Sequence, residues 1–462
     1  MSKVSNFFKS TLIFFIGSAA SRLVAFFLLP IYTSEIPAAD FGFYDLTITY
    51  AELFCTVIFF NVWTSVLRFM FDFEGKDKYQ AIYSGLPLVA ASFALTLVSS
   101  LVLAKLLKVK YTPLITIYTL AMAVSFYYSF AARGFSYNVL YATSGFVAAV
   151  VNLSASIILL KVYKFDYSAL YIAYILGFLA QIIILEFKLK LIKNFAFAKV
   201  SGSLLGRIFA IALPLSINAA AFWALTGINK VIVAHYLGSY ANGLYATAIK
   251  FGVVLTFVSY CVELAWQELA FLVGAEQEDY SFFSRAGNLY LKTAFAAAIV
   301  ILPAISLIFP ILIDTSYGGA RAIVPLYIIA TLAGIYSKFL GSIFTGLKKT
   351  KTVLWSTILA AIVNSLLALA LIKTLGVEAV NISLLAGYIV NIIVRVIMLR
   401  RSIGFSVNYK IPALLSIPLL ASYLVYVFLP NMVIPFLILA IIIAFLALRK
   451  ELFALAKSWR KA

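Results

Sequence analysis

From residue 432 to residue 448 the chain carries no charged side chain. A helix that crosses the hydrocarbon of a bilayer needs about 20 mostly apolar residues. Comparable runs fall at about 11–31, 42–66, 81–104, 113–132, 139–160, 167–187 and 208–232. Six more follow at about 242–266, 287–313, 323–346, 352–373, 379–399 and 411–429. In hydrocarbon every backbone N–H and C=O must be satisfied internally, which leaves only helices and closed barrels. Barrel strands are about ten residues long and alternate in polarity. These runs are about twice as long and continuously apolar. The expected fold class is an all-α polytopic membrane protein with about 14 transmembrane helices.

Composition excludes the alternatives. Hydrophobic residues make up 64% of the 462, and charged ones 11%. A soluble domain runs about 45–50% apolar and about 25% charged. The remaining segments are short, with no room for a large catalytic domain outside the membrane. No phosphate-binding glycine loop of the G-x-x-x-x-G-K-[ST] type is present, so ATP hydrolysis is not expected. A transporter rather than an enzyme fits.

The net charge is +19. In a membrane protein such an excess reflects cytoplasmic loops and anionic headgroups, not nucleic acid. An even number of spans places both termini on one side. Most Lys and Arg fall on that side, including the stretch from Lys188 to Arg207 and the group Arg400, Arg401 and Lys410. Both termini are therefore expected in the cytoplasm. Lys3 and Lys9 before an apolar run faintly suggest a signal peptide, but the run resumes after Arg22 and continues to Ile31, a spanning length. Cys55 and Cys261 both lie in apolar runs, so no structural disulfide is expected. The single histidine, His235, excludes a site of several imidazoles and reads as an interfacial residue.

The chain repeats itself. Ala148-Ala149-Val150-Val151-Asn152 recurs as Ala360-Ala361-Ile362-Val363-Asn364, and Lys161 and Asp166 recur as Lys373 and Glu378, at an offset of 212. Ile31, Gly42 and Tyr44 recur as Ile232, Gly243 and Tyr245 at an offset of 201. That distance equals about six spans, so the copies share one orientation. Parallel repeats of this kind build transporters whose substrate site lies at their interface. The expected organisation is an N-terminal six-helix bundle over 1–187 and a basic cytoplasmic linker over 188–207. A C-terminal six-helix bundle over 208–400 follows, then two additional helices and a tail over 401–462.

Five cations fall inside spans: Arg22, Lys250, Lys292, Lys338 and Arg395. Lys292 is near a span end and can snorkel. A charge in the bilayer is costly and normally faces a bundle interior or a watery cavity. Helical spacing puts Arg22, Lys338 and Arg395 on polar stripes and sets Lys250 on a different side of its helix from Glu263. Ser18 shares a face with Arg22, Ser337 and Gly341 flank Lys338, and Asn391 lies one turn from Arg395. Asp45, Thr49, Glu52 and Thr56 share a face of the second span; Ser259, Tyr260, Glu263 and Gln267 share one of the eighth. Stripes of small residues also serve tight helix packing. Cations in both halves describe a cationic cavity, and such a cavity fits an anion, with Arg suited to phosphate oxygens. The substrate-binding candidates are Arg22, Lys250, Lys338 and Arg395. Glu52 and Glu263 are candidates for coupling or for pairing with these cations. Tyr260 and Tyr388 lie near the polar stripes, where they can stack on sugars.

The segment from Arg22 through Pro30 to Thr33, followed by Asp40-Phe41-Gly42-Phe43-Tyr44, resembles the opening of bacterial oligosaccharide flippases. These belong to the polysaccharide transport family of the multidrug/oligosaccharidyl-lipid/polysaccharide exporter superfamily. Gly238 to Lys250 resembles the second-half counterpart, and Lys349-Thr350-Lys351-Thr352, Val363-Asn364 and Gly376 resemble the C-terminal region. One departure is Asn229-Lys230, where many members carry Asp-Arg, so no role of that acid is carried over. The resemblance implies two lobes and alternating access. It implies movement of undecaprenyl-pyrophosphate-linked oligosaccharide from the cytoplasmic to the outer leaflet of the inner membrane, as in O-antigen and lipopolysaccharide biosynthesis. It implies no cofactor, coupling to a proton or sodium gradient, and membrane lipids and other polysaccharide assembly proteins as partners. A peptidoglycan lipid precursor flippase shares the pyrophosphate. A drug or cation exporter would favour an acidic cavity, and a membrane polymerase or ligase would carry a long outer loop.

Overall fold

The computed structural model describes residues 26–107, 109–195, 200–257, 259, 281–347 and 349–459. Among these there is no β-strand; the chain is helical and connected by short turns. The helices are α1 (Leu29–Glu35), α2 (Ala38–Ile58), α3 (Val62–Met70), α4 (Lys78–Leu107), α5 (Thr112–Gly134), α6 (Asn138–Ile157), α7 (Ser168–Leu189) and α8 (Gly202–Thr226). They continue with α9 (Ile228–Lys250), α10 (Ser281–Leu312), α11 (Ala320–Gly346), α12 (Thr350–Leu375), α13 (Glu378–Ile403), α14 (Lys410–Phe428) and α15 (Val433–Trp459). Eleven segments are long and apolar enough to cross a membrane, and the bent pair α2 and α3 makes a twelfth. Most of the first expected span and the end of the eighth lie outside the described residues.

Two compact units emerge. The first holds residues up to 36 and 43–223; the second holds 37–42 and 224–462. The division falls after Trp223, so residues 202–223 of α8 go with the first unit. The reason is local bonding. Ser216 Oγ donates to the Thr56 carbonyl at 3.1 Å, and Trp223 Nε1 to the Thr49 carbonyl at 3.0 Å. Within the second unit α14 and α15 pack along α10.

In the first unit α2 and α3 meet at a 48° bend. Phe60 and Asn61 make that bend with left-handed φ values of 51° and 49°. In the second unit the boundary expected between 232 and 242 is different. Helix α8 ends at Thr226, and α9 runs from Ile228 through a kink at Gly238, where φ is 86° and ψ 172°. Only glycine reaches that conformation without strain.

Each unit repeats the other's internal packing. A Cβ on Gly177 would stand 2.8 Å from the Ala148 carbonyl oxygen, and one on Gly387 would stand 2.9 Å from that of Ala360. Both glycines let α7 or α13 approach its neighbour's backbone, beside Asn152 in one unit and Asn364 in the other. Thr119 and Thr331 each return a hydroxyl hydrogen bond to the carbonyl four residues earlier, at 2.9 and 2.8 Å. The turns after α5 and α11 close alike, with Tyr137 N bonded to the Ala132 carbonyl and Lys349 N to that of Phe344. The equivalence extends to the segments beyond α7 and α13. Ser84 Oγ accepts from Ser201 N at 3.0 Å, and Ser284 Oγ accepts from Ser406 N at 3.0 Å.

Candidate functional site

Four of the six candidate residues lie within the described part of the chain; Arg22 and Glu263 lie outside it, as does Tyr260. Three of the four, Lys250, Lys338 and Arg395, belong to the second unit. There α11 is the most enclosed span, with 67% of its apolar window buried, packed by α9, α10, α12 and α13. Lys338 is one of the few exposed positions on it. A charge within a span normally faces a bundle interior or a watery cavity. The strip of α11 that holds Lys338 also carries Ser342 and Thr345, each bonded back to its own helix. Lys250, at the last turn of α9, is half-buried.

Arg395 has a different environment. It is 4% exposed. Its Nε donates to Ser356 Oγ at 3.0 Å and its Nη2 to Thr357 Oγ1 at 3.1 Å. Nη1 donates to the Ser337 carbonyl and, at 3.3 Å, to Ser337 Oγ. These acceptors are neutral, and no carboxylate pairs with Arg395 among the described residues. Hydrogen-bonded oxygens therefore solvate the charge in place of water. Gly341 makes the space: a Cβ there would stand 2.9 Å from Nη1. Arg395 ties α11, α12 and α13 together and places a buried positive charge among them.

Lys292 does not reach a span end alone; its Nζ pairs with Glu451 Oε1 at 2.9 Å. Tyr388 packs into the space left by Gly334, whose Cβ would meet the ring at 2.7 Å. In the first unit Asp45 and Thr49 are buried on one face of α2, while Glu52 on the next turn is exposed. The same unit holds a tyrosine cluster of Tyr44, Tyr118 and Tyr171, with Tyr44 and Tyr171 edge to face at 4.9 Å. Tyr171 also shares a hydrogen bond with Thr47.

Sequence reasoning missed a buried amide network in the second unit. Asn364 Nδ2 donates to Asn229 Oδ1 at 3.0 Å and to the Leu225 carbonyl at 3.1 Å. Asn229 Nδ2 donates to the Val380 carbonyl at 3.2 Å. Asn381 Nδ2 bonds the Ile323 carbonyl and Glu378 Oε2 at 3.2 and 3.0 Å. The signals were the repeated Asn152 and Asn364 and the departure at Asn229. The network is neutral at position 229, where the resembling pattern carries an acid, and it joins α9, α12, α13 and the end of α8.

The arrangement resembles solved transporters. The structure titled lipid II flippase MurJ, inward closed conformation, superposes with a TM-score of 0.70 at 14% identity, covering 96% of this chain and 100% of that one. An outward-facing multidrug resistance MATE family transporter of the MOP superfamily gives 0.61 at 16% identity, over 85% of this chain and 94% of that one. The inward-facing form of such a transporter gives 0.60 at 15% identity, over 84% and 98%. No family model and no curated protein matches the sequence. These likenesses establish the fold: a multi-pass helical architecture shared with flippases and exporters.

Proposed function

We propose that the chain is a flippase that carries an undecaprenyl-pyrophosphate-linked oligosaccharide from the cytoplasmic to the outer leaflet of a bacterial inner membrane by alternating access. The observation that carries the reading is the fold likeness over the whole length of a lipid II flippase, a protein named for a lipid-linked substrate. Inward-facing and outward-facing structures of the related transporters support alternating access as the mode of work. The cations add the substrate's sign. Lys338 on the open strip of α11, Lys250 on α9 and Arg22 supply contacts for pyrophosphate, and Arg395 supports them with buried charge. Lys binds phosphate as a point charge and Arg as a planar fork. Gradient coupling belongs to Glu52 or Glu263 in this reading, and the chain is a transporter with no catalytic group of its own. Other polysaccharide assembly proteins deliver and receive its substrate.

The peptidoglycan lipid precursor is the second reading, because the solved flippase is titled for lipid II and that lipid fits the same cations. Purified protein in proteoliposomes decides between them. Lipid-linked oligosaccharide should become accessible at the opposite leaflet faster than lipid II, and Lys338→Ala should slow it at least about tenfold. Preferred movement of lipid II would replace the first reading. Movement of neither, with export of a cationic drug, would remove both.

A further inference from the structure

The end of the first unit where α7 leaves its span holds a built crevice that the transport reading does not use. Helix α7 stops at Lys190, which turns the chain in the left-handed region with φ 51°. The following turn, Leu191–Asn194, is fastened down. Tyr79 Oη donates to the Leu189 carbonyl and Tyr83 Oη to the Leu191 carbonyl, both at 2.6 Å. Glu186 accepts from the backbone N–H groups of Leu191 and Ile192 at 2.9 and 3.0 Å, and from Tyr128 Oη at 3.1 Å. The carbonyls of Leu189 and Leu191 and the N–H groups of Leu191 and Ile192 are thus satisfied internally, and apolar as well as basic side chains face outward. Phe187 is 77% exposed and Ile192 75%.

Beside this segment lies an open groove of about 490 Å³, lined by Leu86, Pro87, Ala90, Phe93 and Phe195 around Tyr83. A second hollow of about 280 Å³ shares Tyr83, Leu86 and Phe195 and reaches Leu191 and Ile192. The groove lies along α4, a spanning helix, so hydrocarbon and not water is its natural filling. The stretch of chain that supplies Leu191, Ile192 and Phe195 to these hollows also carries Lys188, Lys190 and Lys193, all exposed. Lys188 also stands 5.5 Å over the ring of Tyr137. Glu186 is the one acid of residues 186–195, against three lysines, so the stretch keeps a net charge of +2. A hydrocarbon groove beside a stretch bearing three lysines fits a molecule with an acyl chain and a phosphate. Basic pockets of this type bind anionic lipid headgroups, while lysine stems lie along the apolar wall.

We propose that this crevice is a binding site for an anionic diacyl phospholipid, with one acyl chain in the groove along α4 and the phosphate at Lys188, Lys190 and Lys193. The site is independent of what the protein transports. The test uses the full-length protein in nanodiscs of phosphatidylcholine, with increasing phosphatidylglycerol or cardiolipin of the same acyl composition. Thermal stability and retained lipid by native mass spectrometry are the readouts. Anionic lipid should raise the melting temperature and remain bound. The triple variant Lys188→Gln, Lys190→Gln, Lys193→Gln should weaken retention at least about tenfold. Ala90→Trp, which fills the groove from an exposed position, should weaken it with all lysines present. Both variants should match the parent in phosphatidylcholine alone. Equal retention of neutral and anionic lipid, or retention unaffected by either variant, would overturn the proposal. Stabilisation by inorganic phosphate to the same extent as by lipid would overturn it in favour of a soluble-anion site.

Discussion

Gly42 and Gly243 meet backbone to backbone within the second unit. A Cβ on Gly42 would stand 1.9 Å from the Ser239 carbonyl oxygen, and one on Gly243 would stand 1.9 Å from that of Ala38. The contact is reciprocal in the numbering of the repeat: Ala38 and Gly42 become Ser239 and Gly243 on adding 201. Small residues four apart on both helices permit close crossing. Asn242 Nδ2 closes it with a 2.7 Å hydrogen bond to the Gly42 carbonyl.

No rotamer relieves a clash of Cβ with backbone, so Gly42→Ala and Gly243→Ala should each destabilise the protein by at least about 1–3 kcal/mol, the usual cost of overpacking. Gly206→Ala is the control, since nothing stands within 4 Å of its Cβ and it lies inside α8. That change should be neutral or stabilising by about 0.5–1 kcal/mol. Melting temperatures in one detergent decide. Tolerance of alanine at both 42 and 243 would show that these helices do not cross as closely as described.

A second coupling joins Gly341 and Arg395. Gly341→Ala pushes a methyl group toward the guanidinium that sits 2.9 Å from its Cβ position. It should cost about 1–3 kcal/mol. In an Arg395→Met background the added methyl has a flexible neighbour instead, and its cost should fall. The double-mutant cycle should give a coupling of about 0.5–3 kcal/mol. Additive losses would mean that Arg395 does not occupy that space.

Most of the spans could be read from continuous apolar runs, because period and length alone define a bilayer helix. The repeat was visible in Asn152, Asn364, Gly42 and Gly243, yet their roles were not. Whether two equivalent glycines touch each other, as 42 and 243 do, or each touch a different carbonyl, as 177 and 387 do, depends on which helices are neighbours. Arg395 shows the same limit. Its position inside a span is plain in the sequence, but its acceptors come from α11 and α12, well away along the chain. The kink at Gly238 was hidden because glycine also occurs inside straight helices. The placing of residues 202–223 of α8 in the first unit depends on Trp223 and Ser216, whose partners are carbonyls and leave no trace in sequence.

Acid should loosen one end of the first unit. Asp166, between α6 and α7, accepts from Lys110 Nζ at 3.1 Å, from Tyr111 Oη at 2.5 Å and from Ser168 N at 2.9 Å. Partial burial pushes its carboxyl upward, but the hydrogen bonds from Tyr111, Ser168 and Lys110 outweigh it and hold the group down at about 2. The unfolded value is about 3.9. A depressed folded value stabilises the protein above the unfolded one and is lost as pH falls through the folded one. The contribution should be full above about pH 4 and gone near pH 2. Because the pair is substantially exposed, it should amount to less than about 1 kcal/mol. Asp166→Asn should remove this part of the acid sensitivity, read as a flatter melting temperature between those pH values. An unchanged acid profile would exclude the cluster.

Sidedness follows from charge and has a direct test. The excess of Lys and Arg around 188–207 predicts that this segment faces the cytoplasm. The turn Pro430–Met432 between α14 and α15 is then on the outer face, one span away from the basic group at Arg400, Arg401 and Lys410. Ser203 and Asn431 are both exposed. Single cysteines at these positions, in a background lacking Cys55 and Cys261, report the two sides. A membrane-impermeant thiol reagent on intact cells should label Asn431→Cys and spare Ser203→Cys until the cells are opened. The reverse pattern would invert the orientation and with it the proposed direction of transport. Labelling of both in intact cells would place 203 and 431 on one side. An odd number of spans cannot then separate them, and one of the seven spans that the sequence places between them would fail to cross. The reagent thus tests the count of spans between the two positions together with their sign.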